Sequence, residues 1–285
     1  MDLSILNFGD KIIPMDEWIS QFVDWLVNNY RDVFQAIKWP VEQMLNGLDH
    51  GLNWLHPLVI IVLFGFLAWK FSGVKLMVFT LTSLILIGLL GFWEDTMTTL
   101  AMVISSVVFC AISGIPLGIM AGRNDTFESW LRPVLDAMQT TPAFVYLVPI
   151  VMLFSIGNVA GVLATIIFAL PPIIRLTSLG IRQVHPELVE AAQAFGATNW
   201  QVLKYVQFPI ALPTILAGLN QTIMMALSMV VIASLIGAGG LGSPVVLGLN
   251  TLDIGLATVG GLSIVLIAMV LDRITQSFGK QKHNS

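Results

Sequence analysis

Three stretches of this 285-residue chain contain no Asp, Glu, Lys or Arg: 97–122, 137–174 and 205–252, which are 26, 38 and 48 residues long. A helix needs about 20 apolar residues to cross the roughly 30 Å hydrocarbon core of a bilayer. The first stretch is long enough for one crossing and the other two for more. Only 11% of the residues are charged and 56% are hydrophobic, whereas a soluble domain carries roughly a quarter charged residues. The expected fold class is therefore an all-α polytopic membrane protein rather than a water-soluble globule.

Seven candidate spans are read from the apolar pattern: 52–69, 74–92, 98–121, 143–156, 159–174, 210–236 and 254–271. The 38-residue run is divided in two by Gly157-Asn158, a pair suited to a tight turn. With an odd number of spans the connections alternate between the two sides. One side holds Lys70, Lys75, Arg123, Arg132, Arg175, Arg182, Lys204, Arg273, Lys280 and Lys282, while the short connections opposite, around Glu94-Asp95, Asn158 and 238–253, hold no Lys or Arg. Because basic residues are retained on the cytoplasmic side, the C-terminus is expected in the cytoplasm and the N-terminus outside.

Residues 1–51 lack the basic start, compact apolar run and small-residue cleavage site of a signal peptide. Instead Trp18, Phe22, Trp25, Leu26, Val33 and Ile37 recur at helical spacing, opposed by Asp16, Asp24, Asn28 and Asp32. This predicts an amphipathic extracytoplasmic helix, either lying on the membrane face or packed on its own bundle. Two accessory spans (52–96), a core (97–275) and a cytoplasmic tail (276–285) complete the expected organisation.

Several function classes lose support. A net charge of -4 offers nucleic acid no basic surface. Cys110 lies in an apolar run and reads as a small buried hydrophobe. The four histidines, His50, His56, His185 and His283, are scattered, so neither a metal site nor catalytic residues are expected. No phosphate-cradling Gly-x-x-x-x-Gly-Lys-Ser/Thr loop is present, and Gly237, Gly239, Gly240 and Gly242 read instead as a closely packed loop or re-entrant turn. Ionisable residues are nearly missing from the spans, which disfavours ion coupling. An autonomous ion-coupled carrier of small zwitterions is the alternative from a different class.

The connection 182–209 is much longer than the usual link between bundled helices. Pro186-Glu187 suits a helix start and Phe195-Gly196 a helix end, with Leu188, Val189, Ala191 and Ala192 between them. Within it runs Glu190-Ala191-Ala192, three residues, Gly196, nine residues, then Val206-Gln207-Phe208-Pro209. This pattern resembles the EAA loop of binding-protein-dependent ABC importer permeases. The match departs from the family's Ile-x-Leu-Pro ending only in Val206 and Phe208, both still apolar. Further segments, 140–149, 170–175, 196–198 and 220–233, are similar to permeases for glycine betaine and related quaternary-ammonium osmoprotectants.

The resemblance implies a type I ABC importer permease core of five helices with N-terminal accessory helices. It implies that the loop is a coupling helix docking on a separate ATPase, with Glu187, Glu190, Ala191, Ala192, Gly196 and Pro209 as its residues. It also implies a homodimer of permease chains in the lipid membrane, a separate extracytoplasmic substrate-binding protein, and ATP and Mg used by the partner ATPase. No cofactor is expected on this chain itself. Glycine betaine, proline betaine, choline, carnitine and proline stay open as substrates.

Pro142, Pro149, Pro171, Pro172 and Pro213 interrupt helical hydrogen bonding along the spans. Asn220, Gln221, Met224 and Ser228 fall partly on one face of the sixth span, and with Tyr146 they are the candidate pathway lining. Hydrogen bonding between helices is the equal alternative for the polar members. The eight tryptophans fall in the tail, at span ends or in loops, where they read as interfacial anchors and not as a mid-membrane cage for a cation.

Overall fold

The computed structural model describes residues 14–280, and among these the chain is helical with no strand. Residues 1–13 of the expected amphipathic region, and Lys282 and His283 of the expected tail, lie outside the described residues.

Helix α1 (Met15–Trp54) runs through Pro40 and is kinked at Tyr30 (φ −122°, ψ 21°). It ends where His56 precedes Pro57, because a residue before proline is pushed out of the helical region. His56 adopts ψ 136° and its side chain accepts from Leu58 N–H, capping α2 (Pro57–Ser72). The chain bends by 105° between α1 and α2. Helix α1 packs on the bundle along part of its length. Val41 and Leu45 are buried and the Phe34 ring meets Phe154 edge-on, while Trp18, Phe22 and Trp25, nearer the start, are more than half exposed.

Gly73 (φ 84°) turns α2 into α3 (Val74–Leu89). This hairpin meets α12 (Ile254–Lys280) through a small cluster of its own, built on Ala68, Val270 and Ile274. The main core is formed by α4 (Trp93–Arg123), α7 (Asn158–Arg182) and α10 (Phe208–Ala233), with α7 packed against both of the others. The contact between α4 and α7 depends on small residues. A Cβ on Gly114, Gly118 or Gly122 would lie 2.4 Å from Ile173 Cγ2, 2.5 Å from Thr177 Cβ and 2.8 Å from Ile181 Cβ, respectively. Three glycines spaced by four thus form a groove on α4 that receives a ridge of α7, the close approach that small residues allow between membrane helices. Helix α7 continues unbroken through Pro171 and Pro172, both buried.

Asn124 caps α5 (Asp125–Thr140), its Oδ1 accepting from Phe127 N–H at 3.1 Å. Pro142 then breaks the chain into a 3-10 turn (Ala143–Tyr146) and α6 (Leu147–Phe154), bent by 106° from α5. Three acids of α5 reach the basic end of α7. Arg175 pairs with Asp136 at 2.5 Å, and Arg182 pairs with Asp125 at 2.6 Å and Glu128 at 2.7 Å. These exposed or half-exposed pairs fix orientation more than they stabilise, each contributing about 1 kcal/mol or less.

Seven regular spans were expected. The described residues hold four helices long and apolar enough to cross a membrane, or up to six if each bent pair counts as one span. The difference arises in the short segments. Helices α2 and α3 have 16 residues each, about 24 Å of rise, and 143–156 holds a regular helix of only eight residues because Pro142 and Ser155 (φ 69°) bound it.

Candidate coupling loop and pathway face

The long connection folds as the sequence predicts. Helix α8 (Pro186–Ala194) opens with proline in its first turn and Glu187 at the dipole's positive end. It closes on a complete Schellman arrangement: Gly196 N–H donates to Gln193 C=O at 2.8 Å and Ala197 N–H to Ala192 C=O at 3.0 Å. Gly196 has φ 84°, the left-handed geometry that this ending requires. Thr198 and Gln201 then form a reciprocal capping box that starts α9 (Asn199–Val202). A π-helical turn (Leu203–Gln207) joins α9 to α10, with Pro209 in the first turn of α10.

Val184, Val202 and Leu203 are buried and anchor the loop to the bundle. Glu187, Glu190 and Ala191 are exposed and Ala192 is half-buried. No ion pair involves Glu187 or Glu190 among the described residues, so both carboxylates are available to a partner. Around them stand large apolar side chains that sequence reasoning did not single out for docking: Leu188, Phe195 (93% exposed), Trp200 and Tyr205. Lys204 Nζ sits 5.3 Å from the Tyr205 ring centre. Their signal lay in the sequence as apolar residues beside a glycine stop, where a solvated loop has no use for them.

At the opposite end of α10 the glycine-rich loop is a packing device. Gly237 and Ala238 repeat the Schellman bonds, donating to Ser234 and Ala233 C=O. Asn158 Oδ1 accepts from Gly239 N–H at 2.6 Å, and Thr99 Oγ1 accepts from Leu241 N–H at 2.9 Å. A Cβ on Gly242 would fall 2.1 Å from Ser234 Oγ. The loop is followed by α11 (Gly242–Thr251), which packs against α12.

The five candidate lining residues divide into two groups. Gln221, Met224 and Ser228 are exposed on one face of α10, at intervals of three and four. The other two are tied to neighbouring segments. Asn220 donates to Asp272 of α12 at 3.2 Å and accepts from Thr275 at 2.5 Å, while Gln276 completes the Asp272 carboxylate with two 2.8 Å bonds. Tyr146 donates its hydroxyl to Met138 C=O at 2.5 Å and meets the Phe168 ring edge-on. Replacing Asn220 by Ala is expected to destabilise the chain by about 1–3 kcal/mol, the cost of leaving partly buried polar groups unpaired. Gln221→Ala is expected to be near neutral. Thermal unfolding of the two purified variants checks the difference, and equal melting would remove the tethering role of Asn220.

Comparison with known proteins agrees with this architecture. The family described as "Binding-protein-dependent transport system inner membrane component" matches residues 114–282. The glycine betaine/proline betaine transport system permease protein ProW of Escherichia coli is 54% identical over 277 residues, covering 97% of this chain and 78% of that protein. The glycine betaine transport system permease protein OpuAB of Bacillus subtilis is 45% identical, covering 95% and 96%. An inward-facing structure of the MetNI methionine ABC transporter superposes with a TM-score of 0.55 at 26% identity, covering 65% of this chain and 91% of that one.

The fold is thus that of an ABC importer permease and not of an autonomous secondary carrier, and the family implies an ATPase and a substrate-binding protein as partners. The chain belongs to the inner-membrane components of binding-protein-dependent transport systems, as a multi-pass permease subunit without an enzymatic activity of its own.

Proposed function

We propose that this permease carries glycine betaine or a closely related quaternary-ammonium osmoprotectant, as the names of its ProW and OpuAB relatives suggest. The observation that carries the mechanism is the exposed helix α8, with its Schellman stop and its rim of Leu188, Phe195, Trp200 and Tyr205. In this reading α8 docks in a groove of the ATPase. Glu187 and Glu190 meet polar partners there, Ala191 and Ala192 allow close approach, and Gly196 and Pro209 set the angle at which the loop returns to α10. ATP and Mg are bound by the ATPase.

Two permease chains enclose the route as a homodimer, with Gln221, Met224 and Ser228 toward it. The N-terminus is outside and α8 is in the cytoplasm, following the one-sided distribution of Lys and Arg. Selectivity resides mainly in the binding protein, and the permease offers a low-affinity passage.

The test is uptake of labelled glycine betaine into vesicles holding this permease with its ATPase. ATP supplied on the α8 face and binding protein on the glycine-loop face are expected to drive transport of betaine, with no uptake when either is omitted. Uptake that survives without ATP and collapses with an ion gradient would overturn the proposal. So would micromolar binding of betaine by the permease alone, as regards the division of labour.

A further inference from the structure

The α2–α3 hairpin and the end of α12 enclose a cleft of about 440 Å³ that the transport reading leaves unused. Its lining includes Ser72, Lys75, Phe79, Met269, Arg273 and Ser277. The Ser72 and Ser277 hydroxyls hydrogen-bond to each other between the two walls.

Lys75 and Arg273 are exposed and form no ion pair among the described residues. No Asp or Glu occurs in 57–89, and the one carboxylate of α12, Asp272, is taken up by Asn220 and Gln276. The cleft itself is lined by Lys75 and Arg273 and by no carboxylate, which gives it an excess of positive charge. Lys75 is also misplaced by local rules. It sits in the first turn of α3, which has no acidic residue and no side-chain cap, where a cation opposes the helix dipole. Residues that break such a rule without local compensation point to function.

The cleft is layered. Phe79 lies four residues beyond Lys75 on α3, and Met269 four residues before Arg273 on α12. Each apolar side chain is thus just over one helical turn, about 6 Å, further along its helix than the cation. Charges and hydroxyls at the rim with an aromatic and a thioether beneath them match an amphiphile, and basic clefts between membrane helices suit anionic headgroups.

We propose that this cleft binds an anionic phospholipid, its phosphate held by Lys75 and Arg273 and the start of an acyl chain lying on Phe79 and Met269. The apolar floor of Phe79 and Met269, with Val78 and Val265 exposed on the same two helices, favours a lipid over free phosphate. The site requires only that the hairpin and α12 reach the membrane boundary, so it stands independently of the substrate.

The test is native mass spectrometry of the full-length chain exchanged between phosphatidylglycerol and phosphatidylcholine micelles, with inorganic phosphate as competitor. The wild type is expected to retain phosphatidylglycerol at least tenfold over phosphatidylcholine, and millimolar phosphate should not displace it. Lys75→Gln with Arg273→Gln should abolish the preference, whereas Lys75→Arg with Arg273→Lys should keep it within threefold. Arg123→Gln with Arg132→Gln removes equal charge elsewhere on the same face and should also keep it. Equal retention by wild type and the Gln pair would overturn the proposal, as would equal loss in the Arg/Lys pair or in the control pair. Displacement by phosphate would assign the cations to a free anion and overturn the lipid.

Discussion

Substituting Gly196 with Val is expected to uncouple the transporter while leaving it folded in the membrane. Gly196 stands at φ 84°, where an L-residue pays about 1–2 kcal/mol and a β-branched one is a marked outlier. A Cβ there would meet nothing within 4 Å, so the strain is confined to the backbone. Relief comes by opening the two bonds that end α8, which releases the helix from its fixed angle to Thr198 and α10. A cost of about 1.4 kcal/mol makes the docking-competent loop geometry about tenfold less populated. Betaine uptake and permease-stimulated ATP hydrolysis should therefore fall together by about tenfold. Gly196→Asn, which tolerates the left-handed region, should recover most of the activity. The measurement is paired uptake and phosphate release in proteoliposomes, with insertion followed separately. A Val variant that couples normally would show that the loop's angle is unimportant.

Gly118→Ala is expected to be among the most destabilising single methyl additions in the chain. The new Cβ would lie 2.5 Å from Thr177 Cβ and 2.7 Å from the Ile174 carbonyl oxygen. The second neighbour is backbone, so no rotamer change relieves it and α4 must separate from α7 along the whole groove. Overpacking of this kind costs about 1–3 kcal/mol, and here the adjoining contacts at Gly114 and Gly122 are lost with it. Gly261→Ala is the matched control, because a Cβ at that position of α12 meets nothing within 4 Å. Replacing a helical glycine there should be neutral or stabilising by up to about 1 kcal/mol. Thermal unfolding in one detergent compares the two, and equal melting temperatures would refute the close-packed groove.

Charge-free length made the long helices legible, since α4, α7, α10 and α12 all fall within or beside the runs that lack ionisable residues. The coupling loop was legible in more detail. Pro186, Glu187 and the Phe195-Gly196 stop are local signals, and α8 begins and ends where they stand. Long-range partnerships were not readable in the same way. The Asn220–Asp272 bond joins residues 52 apart in sequence, and nothing in hydropathy pairs them. The bends after Trp54 and Thr140 changed the span count, because an apolar average registers a helix and its turn alike. The glycines at 114, 118 and 122 were visible at helical spacing, yet their meaning depends on the ridge of α7 that fills the groove.

Those two prolines in α7 set where that helix can flex. Pro171 and Pro172 have no N–H to donate, so two consecutive rungs of the backbone ladder, which would have reached residues 167 and 168, are missing near its middle. Below them, Ile173, Thr177 and Ile181 lie against the glycines of α4, and Arg175 and Arg182 hold α5. Above them, Asn158 grips the loop at Gly239. Helix α7 thus keeps one continuous rod with a joint that two missing bonds make easier to bend than the turns on either side. The half packed on α4 and α5 and the half held at Gly239 would then change tilt separately without melting a turn of helix, which the proposed docking of α8 below the joint would put to use.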